Sequence, residues 1–165
     1  IAVRLSDQTE GPTVIAHKEL GRLLIFDAID PFTPVGDLPE YLQGSQAMIV
    51  AGDKGGLLEM PITPPEFNAW NRETTVALNE LGDLRGSIRE RVSGQESRQP
   101  RTLLRSVSAD DFKKSIEGWL TRGATAAKLV SFSPTDVQDK ATFNMDIEFT
   151  APRYGQLMQN RLLVF

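Results

Sequence analysis

Three aspartates crowd one short stretch of this chain. Asp27, Asp30 and Asp37 all fall within Arg22 to Gly44, RLLIFDAIDPFTPVGDLPEYLQG. The apolar run Leu23-Leu24-Ile25-Phe26 ends on Asp27, and Pro31, Pro34, Gly36 and Pro39 follow. A buried strand that delivers a carboxylate at its end and then breaks into a rigid turn presents a polar group beside a cleft. Such acids have three uses. Asp27 and Asp30 could share acid–base work as a carboxylate pair. The three together could hold a hard cation through loop oxygens, although their spacing is not that of an EF-hand. Asp30 and Asp37 also suit the capping of turns beside Pro and Gly, which is the simpler reading.

The other groups able to do chemistry are few. His17 is the only histidine and there is no cysteine, so the chain has no thiol nucleophile and forms no disulfide. A triad would need His17 beside a carboxylate. With a turn centred on Leu20, His17 faces Leu23 and Asp27 faces Thr13. That places His17 roughly 13 Å from Asp27, at ~3.3 Å per strand residue. His17 therefore reads as a surface or turn histidine. Gly52-Asp53-Lys54-Gly55-Gly56 lacks the spacing of a phosphate loop and lies between two short strands, so it reads as a hairpin turn. Arg85, Arg89 and Arg91 form a positive stripe, read as a solvated strand face with anion binding as the alternative. Trp70, Phe112, Trp119, Phe143 and Phe149 have core spacing, with a carbohydrate groove as the alternative and Trp70 as the ring to check for exposure.

The 165 residues are 40% hydrophobic and 24% charged, enough to bury a core in one domain or two small ones. The net charge of -4 gives no electrostatic reason to expect nucleic acid. No apolar run approaches the ~20 residues that span a bilayer. The lack of cysteine fits either redox compartment. The chain opens mid-pattern on IAVRL and closes on RLLVF, so we expect a piece of a longer protein.

The elements that position these groups follow from periodicity. Strands are expected at Ile1 to Leu5, Thr13 to Ala16, Arg22 to Asp27, Gln46 to Ala51 and Leu57 to Met60, with a helical turn at Pro39 to Leu42. The proline cluster Pro61, Pro64 and Pro65 marks a domain junction near 61–66. Beyond it, Trp70 to Leu78 and Leu84 to Val92 form a hairpin, with Val76, Leu78, Leu84, Ile88 and Val92 inward and Glu73, Thr75, Arg85, Arg89 and Arg91 outward. A short helix over 100–106 buries Leu103 and Leu104. A second helix over 109–122 opens on a Ser108–Asp111 capping box and buries Phe112, Ile116, Trp119 and Leu120. Ala126 to Phe132, Thr142 to Thr150 and Leu162 to Phe165 complete the strands, with a loop over 133–140 broken by Pro134 and Asp136. The fold class is α+β and β-rich, with mainly antiparallel sheets, a sandwich-like second domain and one or two helices packed on it.

The run LLIFDAIDPFTPVGDLPEYLQG resembles the closing segment of bacterial transglutaminase-like proteins, which share a papain-like core with a Cys-His-Asp triad. In that family a strand carrying the histidine is followed by one ending in an acid, commonly followed by Pro-Thr. Here Phe26-Asp27-Ala28-Ile29 stands in that place, with Ala28-Ile29 for Pro-Thr. The resemblance implies that Asp27 is the triad acid, orienting an imidazole and stabilising its charged form. IAVRL resembles the strand that begins at or just after the catalytic histidine. The histidine and the nucleophilic cysteine would then lie upstream, so the partner of this chain would be the catalytic core of its own parent. Residues 1–60 would be the last strands of that core and 61–165 a β-rich accessory domain. The parent would catalyse thioester-mediated acyl transfer or amide hydrolysis, would be an exported or periplasmic protein, and would need no cofactor or metal. The 165 residues alone are expected to be inactive. The rival reading is a non-catalytic scaffold module that binds a protein or glycan, with Asp27 only a turn acid.

Overall fold

A computed structural model of the chain describes residues 1–159 and 161–164. It has the β-rich α+β architecture expected, with antiparallel sheets and two α-helices. The chain divides into two compact units: 1–69 with 92–99 and 137–142, and 70–91 with 100–136 and 143–165. The division falls at Ala69 rather than within 61–66. The proline cluster is not a linker, because Pro65–Phe67 is a 3-10 turn whose flank is tied into the first unit. There Phe67 O accepts from the Ser93 hydroxyl and Asn68 Oδ1 accepts from the Gln95 N–H.

In the first unit β1 (Ala2–Arg4), β2 (Val14–His17) and β3 (Gly21–Ile25) form an antiparallel sheet with β3 in the middle. The middle strand is the one whose sequence is apolar on both faces, and Leu23 and Ile25 are buried. The β2–β3 turn is tighter than expected: His17 faces Gly21, not Leu23. Gly21 makes this possible by adopting φ of +78°, a left-handed conformation that costs glycine little. β4 (Gln46–Ile49) and β5 (Gly56–Glu59) form a hairpin around Gly52-Asp53-Lys54-Gly55. Leu38 and Met60 join Leu23 and Ile25 in a small core.

The second unit is built on a sheet of order β6-β7-β9-β8, from β6 (Trp70–Leu78), β7 (Leu84–Ser93), β8 (Lys128–Val137) and β9 (Thr142–Ala151). Burial along β7 alternates strictly, with Leu84, Gly86, Ile88, Glu90 and Val92 inward. Helix α2 (Ala109–Gly123) lays Phe112, Ile116 and Leu120 on that face, where they meet Phe143, Ile147 and Phe149 of β9. The Ser108 cap forms as expected: its hydroxyl accepts from the Asp111 N–H and donates to the Asp111 carboxylate. That bond, then Lys114, holds the Asp111 carboxyl below its ordinary value.

Four expectations are corrected. Every residue of β6 is exposed, so Val76 and Leu78 are not core; β6 is an edge strand. Strand β8 runs through Pro134 to Val137, where a loop was expected. β8 is an edge strand, and edge strands are where proline is tolerated within a sheet. A further strand, β10 (Gly155–Met158), pairs with β11 (Arg161–Val164), and Phe165 lies outside the described residues. Helix α1 (Arg98–Ser106) buries Arg101 rather than Leu103, which is 37% exposed. Arg101 has no exposed surface and meets Asp136 of β8 at 2.8 Å, and Arg105 meets the other carboxylate oxygen at 2.8 Å.

Two substitutions test this packing. A Cβ on Gly86 would lie 2.5 Å from the Phe149 ring and 3.0 Å from Val76, so Gly86→Ala is expected to cost about 1–3 kcal/mol by overpacking. Asp136→Ala leaves the buried Arg101 guanidinium without its carboxylate and is expected to cost about 3–5 kcal/mol. Urea unfolding of each variant measures both; a loss under about 0.5 kcal/mol, the range of ordinary surface changes, would refute the packing described.

Candidate functional site

The site lies in the first unit, where the chain leaves β3. Beyond Phe26, whose N–H and C=O still pair with Ile1, the sheet stops supplying backbone partners. Side chains take over. Asp27 Oδ1 accepts from the Ile29 N–H at 2.9 Å, closing an Asx turn, and Oδ2 accepts from the Tyr41 hydroxyl at 3.0 Å. The carboxylate is half-buried and held at both oxygens.

Asp30 sits one turn further on, and its side chain is only 6% exposed. Its carboxylate accepts from the Phe32 N–H, the Thr33 hydroxyl and Arg98 Nε, each at 2.9 Å. Burial raises the Asp30 carboxyl, but the Phe32 N–H, Arg98 and Thr33 together outweigh it and hold the group below its ordinary value of 3.8. Tyr41 follows Pro39 in the 3-10 turn Glu40–Leu42. Its bond to Asp27, then partial loss of water and the negative charges of Asp27 and Asp30, push the phenol above its ordinary 10.0, against Arg98. Asp27, Asp30, Tyr41 and Arg98 thus form one electrostatic cluster.

Asp37 is not part of it. It is 5% exposed and accepts from the Leu38 N–H at 2.8 Å, and its second oxygen has no hydrogen-bond partner among the described residues. Gly36 beside it adopts φ of +99°. The segment is secured further on by Gln43, which donates to Leu38 O and accepts from the Thr63 N–H.

His17 stands apart. Its Nδ1 accepts from the N–H groups of Glu19 and Leu20, both at 3.2 Å, so it caps its own turn. The register puts it at the turn end of the β2–β3 hairpin, while Asp27 lies past the opposite end. No group of three or more His, Asp or Glu side chains among the described residues is placed to hold a metal ion. No helix among them is long and apolar enough to cross a membrane.

Sequence reasoning reached Asp27 and Asp30 but missed their partners. The local pattern marks Tyr41 only as part of a helical turn and gives no sign of Arg98. Asp30 and Arg98 stand 68 positions apart, which leaves no local signal. Trp70 is 47% exposed, but it is engaged: its indole N–H approaches Glu90, and the Arg72 guanidinium lies 5.8 Å from its ring and 4.6 Å from that of Trp119. The stripe of arginines is a solvated face in which Arg89 and Arg91 pair with Glu73 and Asp146.

Comparisons of this chain with protein-family models, with curated proteins and with solved structures yield no match.

What the cluster can do follows from its bonds. A carboxylate fixed at both oxygens is suited to orienting a neighbouring N–H and stabilising positive charge on it. Two titrations test the geometry. Asp30 is lowered on folding, so its contribution to stability is present above pH 3.8 and is lost as the pH falls through its folded-state pKa. Asp30→Asn is therefore expected to weaken the acid dependence of unfolding below pH 3.8. An unchanged acid limb would refute the assignment. In ultraviolet titration Asp27→Asn is expected to bring the ionisation of Tyr41 down toward 10.0; an unmoved midpoint would show that the bond is absent.

Proposed function

We propose that residues 1–60 are the closing strands of a transglutaminase-like core, that Asp27 is its triad acid, and that the second unit is an accessory domain. The observation that carries the reading is the register of β1 on β3. Ala2 stands opposite Ile25, and Ile1 and Phe26 exchange backbone hydrogen bonds of 2.8 and 3.0 Å. Continued by one step, that register sets the residue preceding Ile1 in a longer parent across from Asp27. Directly opposite residues have Cβ atoms ~4.5–5.5 Å apart, close enough for an imidazole to reach a carboxylate. The family resemblance puts its histidine at this end of the strand.

In this mechanism a cysteine thiolate of the parent attacks an amide carbonyl, the imidazolium gives its proton to the departing amine, and a thioester forms. Water or an acceptor amine then releases the acyl group. Asp27 holds the imidazole in the required tautomer and stabilises its cation, while Tyr41 and the Ile29 N–H keep the carboxylate in place. The nucleophile is not among these 165 residues.

Two measurements decide. The purified chain is expected to show no amine incorporation and no peptide hydrolysis above blank. In the parent, Asp27→Asn is expected to lower kcat on the order of 10⁴-fold, with the melting temperature kept. Full activity in that variant would leave Asp27 a turn acid and favour the protein- or glycan-binding scaffold.

A further inference from the structure

The four-stranded sheet of the second unit has two edges, and they are built differently. Strand β8 carries Lys128 at its start and Pro134 within it, two devices that block strand addition. Its last turn of chain is also held by α1 through Asp136. Strand β6 has no proline, and its two charged side chains are already met within the same sheet, Arg72 by Glu90 and Glu73 by Arg89. Its nine residues, WNRETTVAL, include neither proline nor lysine, and all are exposed.

The backbone of β6 is directed by the bonds at its two ends. Ala69 O accepts from the Ser93 N–H at 2.8 Å, and the Asn79 N–H donates to Asp83 O at 3.0 Å. Both place odd-numbered residues in register with β7. Antiparallel bonding alternates sides, so Arg72, Thr74, Val76 and Leu78 turn their N–H and C=O groups to the open edge. Their side chains, with that of Trp70, share the sheet face on which α2 packs. There Val76 and Leu78 line an apolar groove with Leu84, Leu120 and Phe149.

We propose that β6 is a self-association edge, on which two copies of this chain pair antiparallel about a two-fold axis at Thr74. An isologous joint needs a strand complementary to itself, and β6 is so about this residue. Thr74 meets Thr74, Arg72 meets Val76, Glu73 meets Thr75, and Trp70 meets Leu78 of the second copy. Trp70, Val76 and Leu78 are 47%, 52% and 36% exposed, so pairing removes apolar surface at both ends of the joint. The neighbouring registers are worse. A slip one way sets Glu73 against Glu73, and a slip the other way carries Trp70 past the end of the partner strand. The sheets join into one of eight strands, with main-chain hydrogen bonds supplying the attraction and the side chains the register.

The test is sedimentation equilibrium on the purified chain, with Thr74→Pro beside it. Proline at 74 removes an outward N–H and no ladder bond, so it is expected to keep the circular dichroism spectrum and abolish the dimer. Hydrogen exchange on the unaltered chain is the second readout and does not depend on how the variant folds. The amides of Arg72, Thr74 and Val76 are expected to gain protection as concentration rises, while those of Glu73 and Thr75 stay protected throughout. A chain that remains monomeric at submillimolar concentration overturns the proposal. So does a dimer whose edge amides exchange freely, or one that a folded Thr74→Pro leaves intact.

Discussion

A charge taken out of water has to be met by a partner where it is buried, and that requirement organises both units of this protein. In the first, Asp30 is nearly enclosed and is met by Arg98, a hydroxyl and a backbone N–H. In the second, Arg101 is fully enclosed and is met by Asp136, while Glu90, pointing into the helix-covered face of β7, is met by Arg72. Each pair joins segments distant in sequence. Together they pin α1 to β8 and β6 to β7, and they pin the turn after β3 to the start of α1. Surface pairs such as Arg89–Glu73 have no comparable standing, since exposed ion pairs contribute only about 0.2–1 kcal/mol.

The same requirement explains why a carboxylate stands at the end of β3. A strand that stops must hand its backbone groups to something else, and aspartate accepts an N–H two residues on without a helix or sheet. Asp27 and Asp30 both do this. What distinguishes Asp27 is its second oxygen, which accepts from the exposed Tyr41 phenol rather than a buried cation. Asp30 is therefore a structural anchor, and Asp27 is the acid left beside the open end of the sheet. Tyr41 keeps it pointed without neutralising it. That division of labour between two acids three residues apart is why Asp27, and not Asp30, is the one proposed as a triad acid.

The two sheet edges of the second unit show a related economy. β8 tolerates Pro134 because it lies at an edge of the sheet, and the same proline discourages a newcomer. β6 is long, regular and open. The strict alternation that makes β7 an ideal inner strand has no counterpart in how β6 is covered, because α2 packs over β7 and β9 and leaves the first strand at the margin.

Local pattern alone determines much of this protein. The alternation of β7 and β9, the capped amphipathic α2 and the glycine-rich hairpin turn are short-range features, written by period and turn chemistry. Asp27 and Asp30 stood out for the same reason, and so did the isolation of His17. What the chain does not encode locally is coverage and pairing at a distance. Whether Val76 is core depends on where a helix forty residues away comes to rest. Whether Pro134 breaks a strand depends on that strand lying at an edge. Arg101 looks like a solvent-facing residue of a polar helix until Asp136 is brought to it. Arg98 and Tyr41 acquire meaning only when the turn after β3 folds back on them. Short-range geometry is fixed by backbone sterics and so is legible residue by residue. The meeting of buried charges is decided by tertiary packing, because desolvation depends on everything that surrounds a group and not on its neighbours in the chain.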